Sequence, residues 1–190
     1  MNAEPSGLEP IVIQTERLIL RRLTMDDLEA PAALYGDPEV RRYFPDGTQT
    51  YEQTREELEW VIDVYYRQYG YGLWGRRSSG RPAPSSAAAG CCPGRSRAGT
   101  EVEVAYLLNR NYWARGLATE AARAIVDYAF TTLLAERLIC MFDPENSASR
   151  SVAAKAGMSL LWDDHVGKYG LSHVYAIQRP LPDTASVIRA

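Results

Sequence analysis

Histidine and cysteine are both scarce in this chain of 190 residues, with two of the first and three of the second. His165 and His173 stand apart and no cysteines have zinc-type spacing, so no metal site is expected. Cys91 and Cys92 are adjacent and Cys140 makes the count odd. That reads as free thiols in a reducing, cytoplasmic setting rather than a disulfide framework. No segment approaches the ~18 apolar residues of a membrane span. The opening MNAEPSGLEP is polar, without the basic start and apolar run of a secretory signal. Net charge is −3, which gives no bulk electrostatic case for nucleic acid or an anionic membrane as partner. Neither G-x-x-x-x-G-K-S/T nor G-x-G-x-x-G after a strand occurs, which disfavours a nucleotide-phosphate binder of those kinds.

What remains is a globular composition, 46% hydrophobic and 24% charged, so most of the chain is expected to fold. The length suits one domain over residues 11–180, with a flexible tail at 1–10 and another at 181–190. Leu18 to Arg22 alternate as a first strand. Thr24, Met25, Asp26 and Asp27 open a helix to about Tyr35, in which Pro31 predicts a kink. A second helix begins at Thr50 or Thr54 and runs to about Gln68, with Leu58, Val61, Ile62 and Tyr65 on its apolar face. Tyr69 to Trp74 begins a strand, and residues 101–108 form the clearest one, Val102, Val104 and Tyr106 facing opposite to Glu101, Glu103 and Ala105. A helix follows from Leu117 to about Leu134, its Ala118, Ala121, Ala122, Ile125, Tyr128 and Ala129 forming a thin side that lies close to a sheet. Arg137–Phe142 is a strand, 147–156 a short helix with Gly157 at its C-cap, and 158–162 and 171–178 two last strands. The fold class is α/β, a mixed central sheet flanked by helices.

The chemistry concentrates in the stretch from Tyr106 to Ala121, where a strand ends, a loop with Gly116 follows, and a helix opens at once. The first turn of that helix offers unpaired amides and the positive end of its dipole, an anion site that suits a diphosphate. Gly116 and Ala118 let a ligand approach, while Arg110 and Arg115 add forked donors. A plain tight turn is the alternative.

The run R-x-Y-W-x-R-G-L-A-T-E-A resembles the acetyl-CoA pyrophosphate loop of the GNAT superfamily, above all the branch of ribosomal-protein N-terminal acetyltransferases. Trp113 stands where the superfamily pattern has Gln or Arg. T-E-R-L-I-L-R at the front, G-D-P-E-V-x-x-Y-F-P before the second helix and D-P-E-N-x-x-S-R-x-V-x-x-x-x-G-M near the end extend the resemblance over roughly 13–74 and 100–178. It implies that the amides of Arg115, Gly116, Leu117, Ala118 and Thr119, with the Thr119 hydroxyl, hold the diphosphate of acetyl-CoA. Leu107, Leu108 and Asn109 pair their backbone with the pantetheine arm, and Asn146 touches it near the sulfur. The implied reaction is acetyl transfer to an amine, a protein N-terminus or a small molecule, by direct attack in a ternary complex. Glu103 is the first candidate for general base, an N–H near Leu107 for the oxyanion, and Ser149 or a tyrosine for thiolate protonation. An exposed strand acid at Glu103, a surface serine at Ser149 and a mere N-cap at Asn146 are the plain alternatives. Tyr43, Phe44, Pro45 and the Trp74 end of the strand are expected to border the acceptor pocket. The acceptor and the oligomeric state stay open.

Residues 75–99 use only Gly, Arg, Ser, Ala, Pro and Cys, and without a bulky apolar residue they are expected to be irregular. The family has two core strands there. All six types have GC-rich codons, so a compensated frameshift is a second reading. Read one base early, codon degeneracy permits Ser85 to Gly94 to be read as Phe-Ile-Gly-Arg-Cys-Gly-Leu-Leu-Pro-Trp, which resembles the family's third strand. An incomplete sheet would leave a catalytically inactive relative that binds coenzyme A, which is the alternative to an active enzyme.

Overall fold

The structure, a computed structural model, describes residues 11–78, 87–167 and 170–180. The expected tails at 1–10 and 181–190 lie outside them, as do residues 79–86 of the biased segment. Eight strands form one sheet: β1 (Ile11–Gln14), β2 (Leu18–Arg22), β3 (Leu73–Ser78), β4 (Ala87–Ser96), β5 (Gly99–Leu108), β6 (Arg137–Phe142), β7 (Ser159–Gly167) and β8 (Gly170–Gln178). Their order is β1-β2-β3-β4-β5-β6-β8-β7. Every neighbouring pair is antiparallel except β5 and β6, whose connection crosses over through a helix. β1 was not anticipated: four residues next to a polar tail carry too little alternation to stand out.

The helices are α1 (Glu29–Tyr35), α2 (Tyr51–Trp60), α3 (Leu117–Thr131) and α4 (Ser147–Lys155). Thr24 and Asp27 make the expected cap, but over a 3-10 turn, Met25–Asp27, after which the helix restarts at Glu29. Pro31 therefore falls in the first turn of α1, where the N–H it lacks would have had no partner within the helix, and no kink is needed. Thr50 and Gln53 form a reciprocal capping box on α2. Beyond Trp60 the chain continues in wider π turns from Val61 to Tyr69, ending on left-handed Gly70. The wider turns shift the phase of the apolar face, so Tyr66 rather than Tyr65 is the buried tyrosine. Tyr69, expected in a strand, ends this helix.

Residues 75–78 and 87–96 are strands, which corrects the expectation of irregular chain at those positions. A strand flanked by two others gains its hydrogen bonds from the backbone, and helices that approach closely want small side chains. Ala87, Ala89 and Cys91 pack in the main core with α3, while Ala88 packs on the other face with Leu34 and Tyr35 of α1. At Gly90 a Cβ would fall 2.1 Å from the Gly72 carbonyl oxygen, so nothing larger than glycine fits. Pro93 lies where β4 has only β5 beside it, which tolerates a residue with no N–H to give. The sheet is thus continuous from β3 through β5, and the premise of the inactive alternative, a broken sheet, does not hold.

The two faces of β5 divide as expected. Val104 is fully buried towards α3, and α3 presents Leu117, Ala121, Ala122, Ile125, Val126 and Ala129 to that core. Gly157 has the expected left-handed cap after α4, with the Met158 N–H returning to the Ala153 carbonyl.

Candidate active site

The parallel pairing of β5 with β6 lasts only two residue pairs, Val102 with Leu138 and Glu103 with Ile139. β5 nevertheless continues to Leu108 and β6 to Phe142, so the strands part into a wedge beyond Glu103. Along that wedge β5 keeps its ladder with β4 on one side and presents an edge unpaired with β6 on the other. An exposed edge of amides and carbonyls is a template for an extended, amide-containing ligand.

Glu103 sits at the fork. Its carboxylate accepts the Met141 backbone N–H of β6, replacing a ladder bond where the strands separate. Burial pushes its pKa up to about 7, and that one hydrogen bond pulls the other way without offsetting it. The side chain lies over Gly94 of β4, where a Cβ would meet the Glu103 Cβ at 2.8 Å. Glu103 is thus a half-buried residue whose carboxyl group itself is buried, not an ordinary exposed strand acid.

On the opposite face the Tyr106 hydroxyl donates to the Ser149 carbonyl at 2.9 Å, and the Cys140 thiol approaches that hydroxyl at 3.6 Å. Burial raises the pKa of Tyr106, so it stays a protonated donor. Asn146 caps α4, its Oδ1 accepting the Ser149 N–H at 3.0 Å. The capping role is thus met, and the Nδ2 group remains to donate elsewhere. Ser149 lies half-buried in the first turn of α4.

Beyond β5 the chain makes a 3-10 turn, Arg110–Tyr112, with Asn109 as its cap. Trp113 folds back to donate Nε1 to the Leu108 carbonyl at 2.7 Å, a brace the sequence did not reveal. Two left-handed residues follow, Ala114 at φ 56° and Gly116 at φ 74°. Alternating handedness makes successive N–H groups converge, as in anion-binding nests. Gly116 then starts α3 with no side chain capping it, so the first-turn amides of Leu117, Ala118 and Thr119 are left for a ligand. Arg115 is exposed, its guanidinium 5.8 Å from the Tyr112 ring. Arg110 instead donates Nε to Asp37 at 2.9 Å, tying the loop to the end of α1.

Tyr43, Phe44 and Pro45 do line a cleft, of about 450 Å³, together with Arg42, Asp143, Pro144, Glu145, Gly170 and Leu171. Glu145 precedes Asn146, which places the cleft beside the start of α4. Trp74 does not border it; its ring is fully buried against Tyr128 of α3. Cys91, Cys92 and Cys140 are all buried and form no disulfide. Among the described residues no group of three or more His, Cys, Asp or Glu could hold a metal ion, and no helix is long and apolar enough to cross a membrane.

An uncapped helix start thus lies next to a split parallel strand pair, with a carboxylate of raised pKa at the fork. The sequence matches the Acetyltransferase (GNAT) domain family over residues 17–159, and the chain belongs to that family. It is an acyltransferase. YkkB, an uncharacterized protein of Bacillus subtilis (strain 168), is 33% identical over 145 residues, 76% of this chain and 83% of that protein. The crystal structure of a GNAT-family acetyltransferase from Bacillus anthracis is 26% identical, with a TM-score of 0.72 over 88% of this chain and 98% of that one. RimL, a ribosomal alpha-N-protein acetyltransferase solved in complex with coenzyme A, is 16% identical and shares the fold, with a TM-score of 0.70 over 89% and 98% of the two chains.

Proposed function

We propose that this protein transfers the acetyl group of acetyl-CoA to an amine by direct attack in a ternary complex. The observation that carries this is the wedge between β5 and β6, with the uncapped N-terminus of α3 at one end and Glu103 at its apex. The amides of Arg115 to Thr119 bind the diphosphate, and the backbone from Leu107, near the end of β5, to Asn109 pairs with the pantetheine arm, apart from the Leu108 carbonyl that Trp113 holds. The Asn146 Nδ2 meets that arm near the sulfur.

Glu103 takes the proton of the incoming amine, directly or through one water, and its pKa of about 7 suits that task at physiological pH. The amine nitrogen bonds to the acyl carbon while an N–H near Leu107 receives the developing oxyanion. The C–S bond then breaks, and the thiolate takes a proton from Ser149 or from Tyr106. The acceptor, a protein N-terminal amine or a small-molecule amine, enters through the cleft at Tyr43–Pro45. Three buried thiols outside any disulfide suit a reducing compartment such as the cytoplasm.

The test is release of free coenzyme A thiol from acetyl-CoA on adding N-terminal peptides or small amines. The proposal predicts acceptor-dependent release that E103Q lowers by about 10²–10⁴. Release that E103Q leaves unchanged would remove Glu103 from the mechanism.

A further inference from the structure

The T-E-R-L motif and Glu120 have no part in the reaction as derived, yet the structure joins them at the diphosphate loop. Glu120 stands in the first turn of α3, where a carboxylate suits the helix dipole but repels a diphosphate. It is heavily engaged: Thr15 Oγ1 donates to it at 2.5 Å, the Arg17 N–H at 3.0 Å and the Arg17 Nε at 2.6 Å. The Arg17 guanidinium also donates Nη1 to the Arg115 carbonyl at 2.9 Å. Its Nη2 lies 3.6 Å from where a Cβ on Gly116 would be.

A trans peptide points its C=O and N–H in opposite directions. Holding the Arg115 carbonyl on the Arg17 side therefore aims the Gly116 N–H away from Arg17, on the side opposite the brace. We propose that Arg17 is a positioning residue, which with Thr15 and Glu120 forms a bracket from the β1–β2 turn that holds the loop in its diphosphate-binding shape before the ligand arrives. This rests on the reading of the loop as the acetyl-CoA site. Glu120 then acts for the anion, through Arg17, despite its sign.

That sign makes the bracket testable by calorimetry with acetyl-CoA and by steady-state kinetics on the full chain. Charge alone predicts that E120Q tightens acetyl-CoA binding; the bracket predicts that E120Q and R17A each weaken it about tenfold. R17K keeps the charge but cannot span both the carboxylate and the Arg115 carbonyl, so it fails to restore affinity. The R17A/E120A double variant binds no more weakly than either single one, because one device is lost once. KM for acetyl-CoA rises while kcat stays within about twofold, an asymmetry that general unfolding does not give. If R17A does not fold, the direction of the E120Q change decides alone. Unchanged or tighter binding in E120Q overturns the bracket while leaving the site intact, provided the wild type binds and G116V does not. A wild type that does not bind acetyl-CoA brings down the site reading and the bracket together.

Discussion

Replacing Glu103 by glutamine separates what its position contributes to catalysis from what it costs the fold. A glutamine keeps the shape and can still accept the Met141 N–H, but it carries no charge into the fork. The carboxyl pKa is raised from 4.5 to about 7 in the folded protein, so the folded state binds its proton more tightly than the unfolded chain does. That contribution is fully present below pH 4.5, is lost as pH rises through 7, and is constant above. At about 1.36 kcal/mol per pH unit, the wild type is penalised by about 1 kcal/mol at pH 5 and about 3 kcal/mol at pH 8. E103Q is therefore expected to be the more stable protein at pH 8, by ~6–12 °C in thermal midpoint, with most of the gap closed at pH 5. In the same samples its acetyl-transfer rate falls by about 10²–10⁴, and the wild type's acid limb near pH 7 disappears from its profile. Thermal unfolding at the two pH values, paired with a pH–rate profile, checks both halves. A stability gap that is the same at pH 5 and pH 8 would refute the assignment of a buried, titrating carboxylate.

Gly90→Ala is expected to destabilise the protein by about 2 kcal/mol or more, since its Cβ would overlap the Gly72 carbonyl; urea denaturation reads this out, and a neutral effect would contradict the β3–β4 packing. Asn146→Asp keeps the cap acceptor and loses the amide donor, so it should hold the thermal midpoint and weaken acetyl-CoA binding, whereas a mere cap would leave binding unchanged. Ser149→Ala should lower kcat with little change in KM for acetyl-CoA, measured by steady-state kinetics.

Legible in the sequence were β2, β5, α2, α3 and the strand pair at the end, whose side chains betray a period, and also β6 and α4, set off by Asp143-Pro144 and Gly157. β4 was not legible because its order comes from backbone pairing and from closely approaching helices, and small residues leave no hydrophobic signal. β1 and the π turns after Trp60 depend likewise on what packs against them. The loop proposed to bind the diphosphate could be picked out from Gly116 and the helix after it because an anion site there would belong to the backbone. The wedge itself was invisible, since it consists of two strands failing to pair, and no residue type marks that. Arg17 and Glu120 stood in quoted motifs, yet only the fold brings them together and sets Arg17 on the Arg115 carbonyl.

Titration of acetyl-CoA into the wild type and Gly116→Val by calorimetry tests the central claim most directly. Valine at φ 74° is strained by roughly 1–2 kcal/mol and would pull the loop out of its anion-binding shape. Saturable, one-to-one binding by the wild type, lost in a folded G116V, is the predicted result. Equal binding by both proteins would contradict the account, because the diphosphate would then not rest on the amides that Gly116 turns towards it.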